Sequence, residues 1–340
     1  MRVTAKEVAR QAGVSASTVS LVFQNKGSIR PEVRQKVFAA AAAIGYRPGG
    51  SAAGAAQPVI QLVLYKKHGK VVSDTPFFEN LTKGISDRVQ ALGYQLRITY
   101  YYAAQDAAEQ LRSLQNSRPA GLLLLTTEMH TRDLDAFEAL GLPLVLLDNW
   151  FPAKSCDAVV IDNLRGAYHA VQFLIQCGHT RLGYLSSKVD IRNFTERREG
   201  YLAAVRSLKD PHNDSAQRIV RVGTTVESAC ADMTAYLATD PVLPTAFFAD
   251  NDLIAAGCLR ALRRAGYRVP EDISLIGFDD MSICELTEPP LTTMAVPKER
   301  LGALAVDRLD RRIRGETGGE TIRLLVQPEI VVRASVRPIH

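Results

Sequence analysis

The stretch TAKEVARQAGVSASTVS, residues 4–20, predicts two short helices joined by a tight turn. Thr4 and Glu7 have the spacing of a capping box, in which each side chain satisfies a free backbone N–H near the other residue. Gly13 stands where the turn needs a positive φ, which glycine adopts at little cost. Ser15 can cap the second helix, because its hydroxyl can accept a free backbone N–H. At these offsets the features together indicate a helix-turn-helix, whose second helix would be presented to the DNA major groove.

The positive charge of the chain is concentrated near its N-terminus. Residues 1–57 contain eight Lys or Arg and two acidic residues, a net charge of +6, whereas the whole chain has a net charge of +5. Residues 58–340 therefore carry only −1. A basic segment joined to a nearly neutral remainder favours a phosphate-facing segment over an evenly charged surface.

The bulk composition excludes several classes of protein. The chain has 340 residues, of which 46% are hydrophobic, so it is long enough for two or three domains with large cores. It has no apolar run of about 20 residues for a membrane span and no secretory signal. Its five cysteines are scattered without C-x-x-C spacing, which is typical of core residues in a reducing cytoplasm. We expect a cytoplasmic protein with no metal, no cofactor and no membrane partner.

The chain divides at a small-residue segment. Residues 31–44 have helical spacing of apolar side chains and predict a third helix. Residues 49–58 are rich in Gly, Ala and Ser, as is typical of a linker. We therefore expect a DNA-binding headpiece over residues 1–48, a linker or hinge over residues 49–58, and a further domain over residues 59–340.

Residues 59–340 alternate short apolar runs with helical patterns, which predicts βαβ units and parallel sheets. The strand-like runs are almost entirely apolar, as expected when helices cover both faces of a sheet. They are too numerous for one comfortable sheet, so we expect two α/β lobes with a cleft between them.

Several longer motifs resemble the LacI/GalR (lactose-repressor) family of bacterial transcription regulators, over essentially the whole chain. These motifs lie at residues 7–9, 12–15, 18–20, 44–48, 178–184, 251–252, 269–280 and 290–293. The resemblance implies an all-α helix-turn-helix headpiece followed by an α/β domain like a periplasmic binding protein, with two doubly wound lobes. Lobe 1 would comprise about residues 59–161 and 292–319, and lobe 2 about residues 162–291 and 320–340. A homodimer or a dimer of dimers on a near-palindromic, double-stranded operator is also implied.

The resemblance also assigns DNA-contacting residues. The residues that would contact base edges are Ala16, Ser17 and Leu21. At the position of Leu21 many relatives have an Arg, which can make a bidentate hydrogen bond to guanine. Leucine cannot make that contact, so base readout here should be less polar. Contacts to phosphate position the protein on the DNA more than they select a sequence. The residues expected to make them are Thr4, Ser15, Thr18, Ser20, Asn25 and Arg34.

The linker departs from the family pattern. Relatives have an Asn followed by a hinge helix with the sequence Ala-Arg-x-Leu, whose Leu inserts into the minor groove. This chain has Gly49 in place of the Asn, Ala53 in place of the Arg and Ala55 in place of the Leu. Ala55 is a poor wedge, and Gly54 raises the cost of a helix. Either the operator is bent little, or the linker stays flexible.

Candidate ligand residues follow a strand at the predicted cleft, because ligands of α/β lobes bind at the carboxyl ends of strands. Asp148, Asn149 and Trp150 come directly after the strand at 144–147, and together they suit a sugar: polar groups take hydroxyls and a ring takes an apolar face. The alternative is a turn in which Asp148 or Asn149 caps the backbone.

The family match adds Arg197, which begins the Arg-x-x-Gly-aromatic motif and would bind effector hydroxyls or a carboxylate. Alternatively, Arg198 or Arg192 faces inward and Arg197 is a surface residue. Asp252 would accept from sugar hydroxyls, or it is only a helix N-terminal acid favoured by the dipole.

Four more residues are secondary candidates. Phe77 and Phe78 could line the cleft, although aromatic residues there are as often core. Asp279 ends a strand, as does Asp162. No metal site is expected.

These observations favour a transcriptional regulator, most simply a repressor, whose operator binding is controlled by a small effector such as a sugar. The alternatives are a regulator with a nucleoside, purine or phosphorylated sugar as corepressor, a solute-binding protein, and an enzyme of the doubly wound class. The basic headpiece argues against a solute-binding protein. The sequence has none of the motifs G-x-G-x-x-G, G-x-x-x-x-G-K-[ST], H-E-x-x-H or G-x-S-x-G, which argues against an enzyme.

Overall fold

The computed structural model describes residues 4–23, 29–44, 57–72, 76–208 and 214–339. Two compact units divide the chain, Met1–Gln57 and Pro58–His340, and each is considered by itself. Most of the expected linker, including Gly49, Ala53, Gly54 and Ala55, lies outside the described residues.

The first unit contains the expected helix-turn-helix. Its helices are α1 (Ala5–Ala12), α2 (Ala16–Phe23) and α3 (Pro31–Ala43). The capping box is present: the backbone N–H of Thr4 donates to Glu7 Oε2 at 2.6 Å. Gly13 has φ +66° and ends α1, and the Ser15 hydroxyl accepts from the Thr18 N–H at 3.0 Å, which caps α2. The buried core that fixes the angle between the helices is made by Val8, Ala9, Val19, Val22, Val37, Ala40 and Ala41.

The first lobe of the second unit is built on a six-stranded parallel sheet. Its strands are β1 (Val59–Lys66), β2 (Gln95–Tyr102), β3 (Gly121–Leu125), β4 (Leu144–Leu147), β5 (Asp157–Ile161) and β11 (Arg323–Val326), in the order β11-β5-β4-β3-β1-β2. Its helices are α4 (Pro76–Ala91), α5 (Ala107–Asn116), α6 (Asp135–Glu138) and α12 (Lys298–Ile313). Strands β3, β4 and β5 are buried along their whole length, because helices cover both faces.

The second lobe has a four-stranded parallel sheet in the order β7-β6-β8-β9. These strands are β6 (Leu182–Ser187), β7 (Ile219–Val222), β8 (Ala246–Ala249) and β9 (Ser274–Ile276). The helices are α7 (Asn163–Gln176), α8 (Arg192–Arg206), α9 (Val226–Leu237), α10 (Asp252–Arg264) and α11 (Ile283–Leu286). Strands β10 (Thr293–Ala295) and β12 (Glu329–Val331) form a small antiparallel pair. The predicted α/β class and doubly wound lobes are confirmed.

The lobe boundary near the C-terminus differs from the expected one. Residues 320–340 were assigned to lobe 2, but β11 pairs in parallel with β5 and therefore belongs to lobe 1. The buried carboxylate of Asp157 accepts from the Ile322 N–H at 2.7 Å and from Arg308 Nε at 2.7 Å, which fixes this part of the chain beside β5. The chain reaches lobe 2 only later, where the Leu275 N–H donates to the Ser335 carbonyl.

Close packing of α4 on α12 requires glycine on both helices. A Cβ at Gly84 would lie 2.1 Å from the carbonyl oxygen of Glu299, and one at Gly302 would lie 2.6 Å from that of Leu81. This close packing holds α12 against α4 within the first lobe. The position of α4 at one wall of the cleft is therefore fixed.

Candidate functional site

A cavity with about 420 Å³ of empty space, counting the part open to solvent, lies where the carboxyl ends of the two sheets face each other. This is the position at which α/β lobes bind ligands. The lining residues are Val71, Phe77, Phe78, Thr127, Asp148, Ile161, Ile191, Asn193, Phe194, Arg197, Asn251, Leu253, Asp279 and Met281. Five of the predicted ligand residues are among them: Phe77, Phe78, Asp148, Arg197 and Asp279.

Asp148 follows β4 with a left-handed backbone, φ +72°, which aims its side chain into the cleft. Its Oδ2 accepts from the Thr127 hydroxyl at 2.5 Å, whereas the buried Oδ1 has no hydrogen-bond partner among the described residues. Burial raises the pKa of Asp148 to about 6, against the lowering effects of the Thr127 hydroxyl, Arg197 and the nearby Asn193 side chain. A buried oxygen without a donor is costly to leave unpaired, so it is suited to accept from a ligand hydroxyl.

Arg197 faces inward, and Arg198 is exposed. The Arg197 Nε donates to Asn163 Oδ1 at 2.9 Å, its Nη1 to the Asp250 carbonyl at 2.5 Å, and its Nη2 to Asp279 Oδ1 at 3.0 Å. The guanidinium also lies 3.8 Å from the centroid of the Phe278 ring. Because a guanidinium has five N–H donors, two remain for a ligand. The residue lies in the second turn of α8, which begins at Arg192.

Charged groups from both lobes surround the cavity. Among the described residues the lining contains two carboxylates, those of Asp148 and Asp279, and one guanidinium, that of Arg197. Asp279 is paired with Arg197, and the buried ammonium of Lys298 donates to the Asp279 carbonyl, whereas Asp148 is in none of the ion pairs of these residues. Burial raises the pKa of Asp279, and it raises that of Asp250, which lies directly behind the cavity, to about 7. The lining side chains alone therefore carry surplus negative charge at neutral pH, which Lys298 partly offsets.

Apolar side chains form much of the remaining wall. Phe77 and Phe78 lie in the first turn of α4, with ring centroids 5.1 Å apart. Phe194, from lobe 2, also lines the cavity. These rings can cover the apolar face of a ligand whose hydroxyls point at the polar groups.

Three predicted ligand residues do not line the cavity, which corrects their expected placement. The Asn149 amide donates to the Thr126 carbonyl at 3.0 Å and accepts from the Trp150 N–H, so it holds a turn. Asp252 accepts from the Met281 N–H at 2.8 Å and from the Thr293 hydroxyl at 2.5 Å. Trp150 lies outside the cavity lining, and its indole N–H donates to Glu196.

Sequence reasoning missed several lining residues. Thr127 comes soon after β3, and the strand-end rule that selected Asp148 could have found it. Asn251 caps α10 by accepting from the Ile254 N–H at 3.0 Å, a common helix signal that carries no functional information. Asn193 lies within α8 and gave no signal in the sequence.

The loop at residues 67–72 carries another missed feature, because Val71 lines the cavity. This loop is held by the buried carboxylate of Glu128, which accepts five backbone N–H groups. The donors are Lys67, His68 and Gly69 to Oε2, and Val71 and Val72 to Oε1. Burial by itself would raise the pKa of Glu128, but these bonds hold it below its usual range.

The headpiece presents one face of α2 to solvent. Ser15, Ala16, Ser17 and Ser20 are exposed, and the apolar side chain of Leu21 is 40% exposed, whereas Val19 and Val22 are buried. Their spacing places them on one side of the helix. Ser15 Oγ lies 2.7 Å from Ser17 Oγ and 2.8 Å from Thr18 Oγ1. The predicted base-reading residues Ala16, Ser17 and Leu21 all lie on this exposed face.

The other predicted DNA contacts are more scattered. Thr4 is exposed at the start of α1, and Arg34 is half-buried on α3. Asn25 and Ala55 lie outside the described residues.

Neither a metal centre nor a membrane helix is found in the described parts of the chain. No cluster of three His, Cys, Asp or Glu side chains there could hold a metal ion. None of the helices described is both long and apolar enough to cross a membrane.

Comparisons with known proteins agree with this architecture. The family model described as bacterial regulatory proteins, lacI family, matches residues 4–49, and that of a periplasmic binding protein-like domain matches residues 171–336. The chain is 31% identical to the HTH-type transcriptional regulator DegA of Bacillus subtilis, over 100% of both chains. It is 33% identical to the ribose operon repressor of Escherichia coli, over 98% of this chain and 99% of the relative. The solved complex of the transcriptional regulator CelR with cellobiose matches with a TM-score of 0.73 at 28% identity, covering 98% of this chain and 100% of that one.

Replacing Asp148 by Asn is expected to stabilise the protein at neutral pH. The pKa of Asp148 is 3.8 in its ordinary state and about 6 in the folded protein. The free energy of unfolding of the wild type therefore falls as the pH rises from about 4 to about 6, and it does not fall further above that range. The difference corresponds to about 3 kcal/mol above pH ~6. The amide avoids this loss, and Asn also tolerates the positive φ.

Thermal unfolding of both proteins between about pH 4 and pH 8 checks this expectation. The variant should gain most at the upper end and almost nothing at the lower end. Asp87→Asn on the exposed face of α4 is the control and should gain nothing. A variant Asp148→Asn that is less stable than the wild type at about pH 8 would contradict the account of this carboxylate.

Proposed function

This chain belongs to the lacI family of bacterial regulatory proteins, and we propose that the effector of this regulator is a neutral sugar bound in the cleft between its two lobes. It is a DNA-binding transcriptional regulator with an effector-binding core, and not an enzyme. The observation that carries the proposal is the unpartnered Oδ1 of Asp148, a buried acceptor in a cavity with surplus negative charge.

The charge of the cavity separates the candidate ligands. A sugar hydroxyl can donate to Asp148, and other hydroxyls can accept from the two remaining N–H groups of Arg197. A phosphorylated sugar would bring negative charge next to Asp148, and Arg197 is already paired with Asp279. Repulsion in a buried site of low dielectric is strong, so the phosphorylated corepressor is disfavoured.

The lining of the cavity also suits a small polyhydroxylated molecule, because aromatic side chains lie beside a few convergent polar groups. One relative is named for the ribose operon and another was solved with cellobiose, whereas other relatives of similar identity are named transcriptional repressor PurR.

The exposed face of α2 supports the way in which DNA would be read. Ser17 can hydrogen-bond a base edge, whereas Ala16 and Leu21 can contact only thymine methyl groups. We propose that two copies of the chain bind a near-palindromic operator in the cytoplasm as a homodimer and repress transcription there.

Sugar binding is expected to show the charge preference of the cavity. Isothermal titration of the full-length protein with neutral sugars, including D-ribose and cellobiose, with their phosphorylated counterparts, and with nucleosides and purines should find binding only among the neutral sugars. Asp148→Asn should weaken that binding by about tenfold or more, because a charged acceptor contributes about 1.5–3 kcal/mol per hydrogen bond.

The exposed Asp87→Asn is the matched control and should bind like the wild type. Tighter binding of a phosphorylated sugar, or a nucleoside or purine as the only ligand, would overturn the proposed effector class.

Shortening Leu21 is expected to weaken specific DNA binding selectively. Leu21→Ala removes an apolar contact to a thymine methyl but no charge, so operator affinity should fall by about 1 kcal/mol, or about fivefold, while non-specific affinity stays the same. Fluorescence anisotropy with a fragment from upstream of the protein's own gene and with a scrambled fragment measures both affinities. Gln35→Ala on the exposed side of α3 is the control. Equal losses on both fragments would remove Leu21 from the base-reading set.

A further inference from the structure

Trp150, the single tryptophan of the chain, joins the two lobes at a point outside the cavity lining. It follows β4 in lobe 1, where its ring packs on the core of that lobe. Its indole N–H donates to Glu196 Oε1 of α8 in lobe 2 at 3.0 Å. The indole therefore makes a directional contact between the lobes, although sequence reasoning had placed it against the ligand.

Two guanidinium groups, one from each lobe, lie over the indole. Arg192 of lobe 2 lies 4.0 Å from the ring centroid, and Arg323 of β11 in lobe 1 lies 3.7 Å from it. Both distances are well within the range of a cation–π contact, which tryptophan makes best among the aromatic side chains. Arg192 is oriented by its ion pair with Glu196 at 2.8 Å.

Glu196 connects this contact to the cavity. Its Oε1 accepts from Trp150 and Arg192, and its Oε2 accepts from the Asn163 amide at 3.4 Å. The other end of that amide, Oδ1, accepts from Arg197 Nε at 2.9 Å. A continuous row of hydrogen bonds thus runs from a lobe 1 indole to the cation that lines the cavity.

We propose that Trp150 and Glu196 are positioning residues for effector binding. They hold the two lobes together beside the cavity, and through Asn163 they orient the guanidinium of Arg197 toward a ligand. The effector part of this inference rests on the proposed function of the cavity. Neither residue touches the cavity, so their effect on affinity must be transmitted through the position of lobe 2 and the orientation of Arg197.

The lobe contact is tested first without a ligand, using Trp150 in the full-length protein as the only tryptophan reporter. Glu196→Ala and Arg192→Ala should increase collisional quenching of the tryptophan by acrylamide by about twofold and shift its emission to the red. Glu199→Ala, exposed on the same helix, is the matched control and should leave both signals unchanged. Unchanged quenching in both Glu196→Ala and Arg192→Ala would overturn the lobe contact.

The effect on the effector is tested by titrating D-ribose and cellobiose into the same proteins. For the sugar that binds the wild type, Glu196→Ala should raise Kd by about tenfold, while the thermal midpoint without sugar changes little. Glu196→Gln, which keeps an acceptor for the indole N–H, should recover part of the affinity, whereas a merely structural defect would move the midpoint instead. Equal affinity of wild type and Glu196→Ala would overturn the positioning role.

Failure of the wild type to bind either sugar is a separate result. The effector role would then fall together with the proposed function, whereas the quenching measurement would still decide whether Trp150 and Glu196 hold the lobes together.

Discussion

The arrangement of the cleft depends on one buried positive charge, the guanidinium of Arg197. A charge that is 2% exposed is tolerated only if it is paired and hydrogen-bonded, and Asn163, Asp250 and Asp279 supply those partners from three separate places in lobe 2. Arg197 therefore gathers the carboxyl ends of the lobe 2 strands around a single point. Asp148 of lobe 1 faces the same cavity with one oxygen unsatisfied, and this missing donor makes the empty site ready for a ligand.

The two units of the chain have opposite electrostatic preferences, which suits a regulator with two different ligands. The headpiece segment is strongly basic and presents the exposed face of α2, so it attracts the phosphate backbone of DNA. The side chains that line the cavity of the core carry surplus negative charge, and the effector that we propose for it is neutral. On this proposal a polyanion and a neutral effector bind separate parts of one chain, and their mutual influence is a coupling free energy between two sites.

Sequence reasoning succeeded where one local rule determined the structure. The capping box and Gly13 place α1 and the turn, and the fully apolar run of β3 is typical of a strand covered on both faces. Strand β11 was not predicted, because it is half-exposed and contains Arg323. Its place beside β5 depends on a contact between Asp157 and residues about 150 positions away in the sequence. At the site, the end of β4 was identified, but neighbours in sequence point in different directions. Asp148 enters the cavity because of its positive φ, whereas Asn149 and Trp150 turn away, and orientation of this kind depends on tertiary structure.

The most direct test of the account is operator binding of the full-length protein at several salt concentrations, with and without neutral sugars. We predict specific, salt-sensitive binding to a near-palindromic fragment from upstream of its own gene, because phosphate contacts release counterions. One neutral sugar should change the operator Kd by about 5- to 150-fold, the usual range of allosteric coupling. Absence of specific binding at any salt concentration would contradict the account of the headpiece, and specific binding that no neutral sugar alters would contradict the account of the cleft.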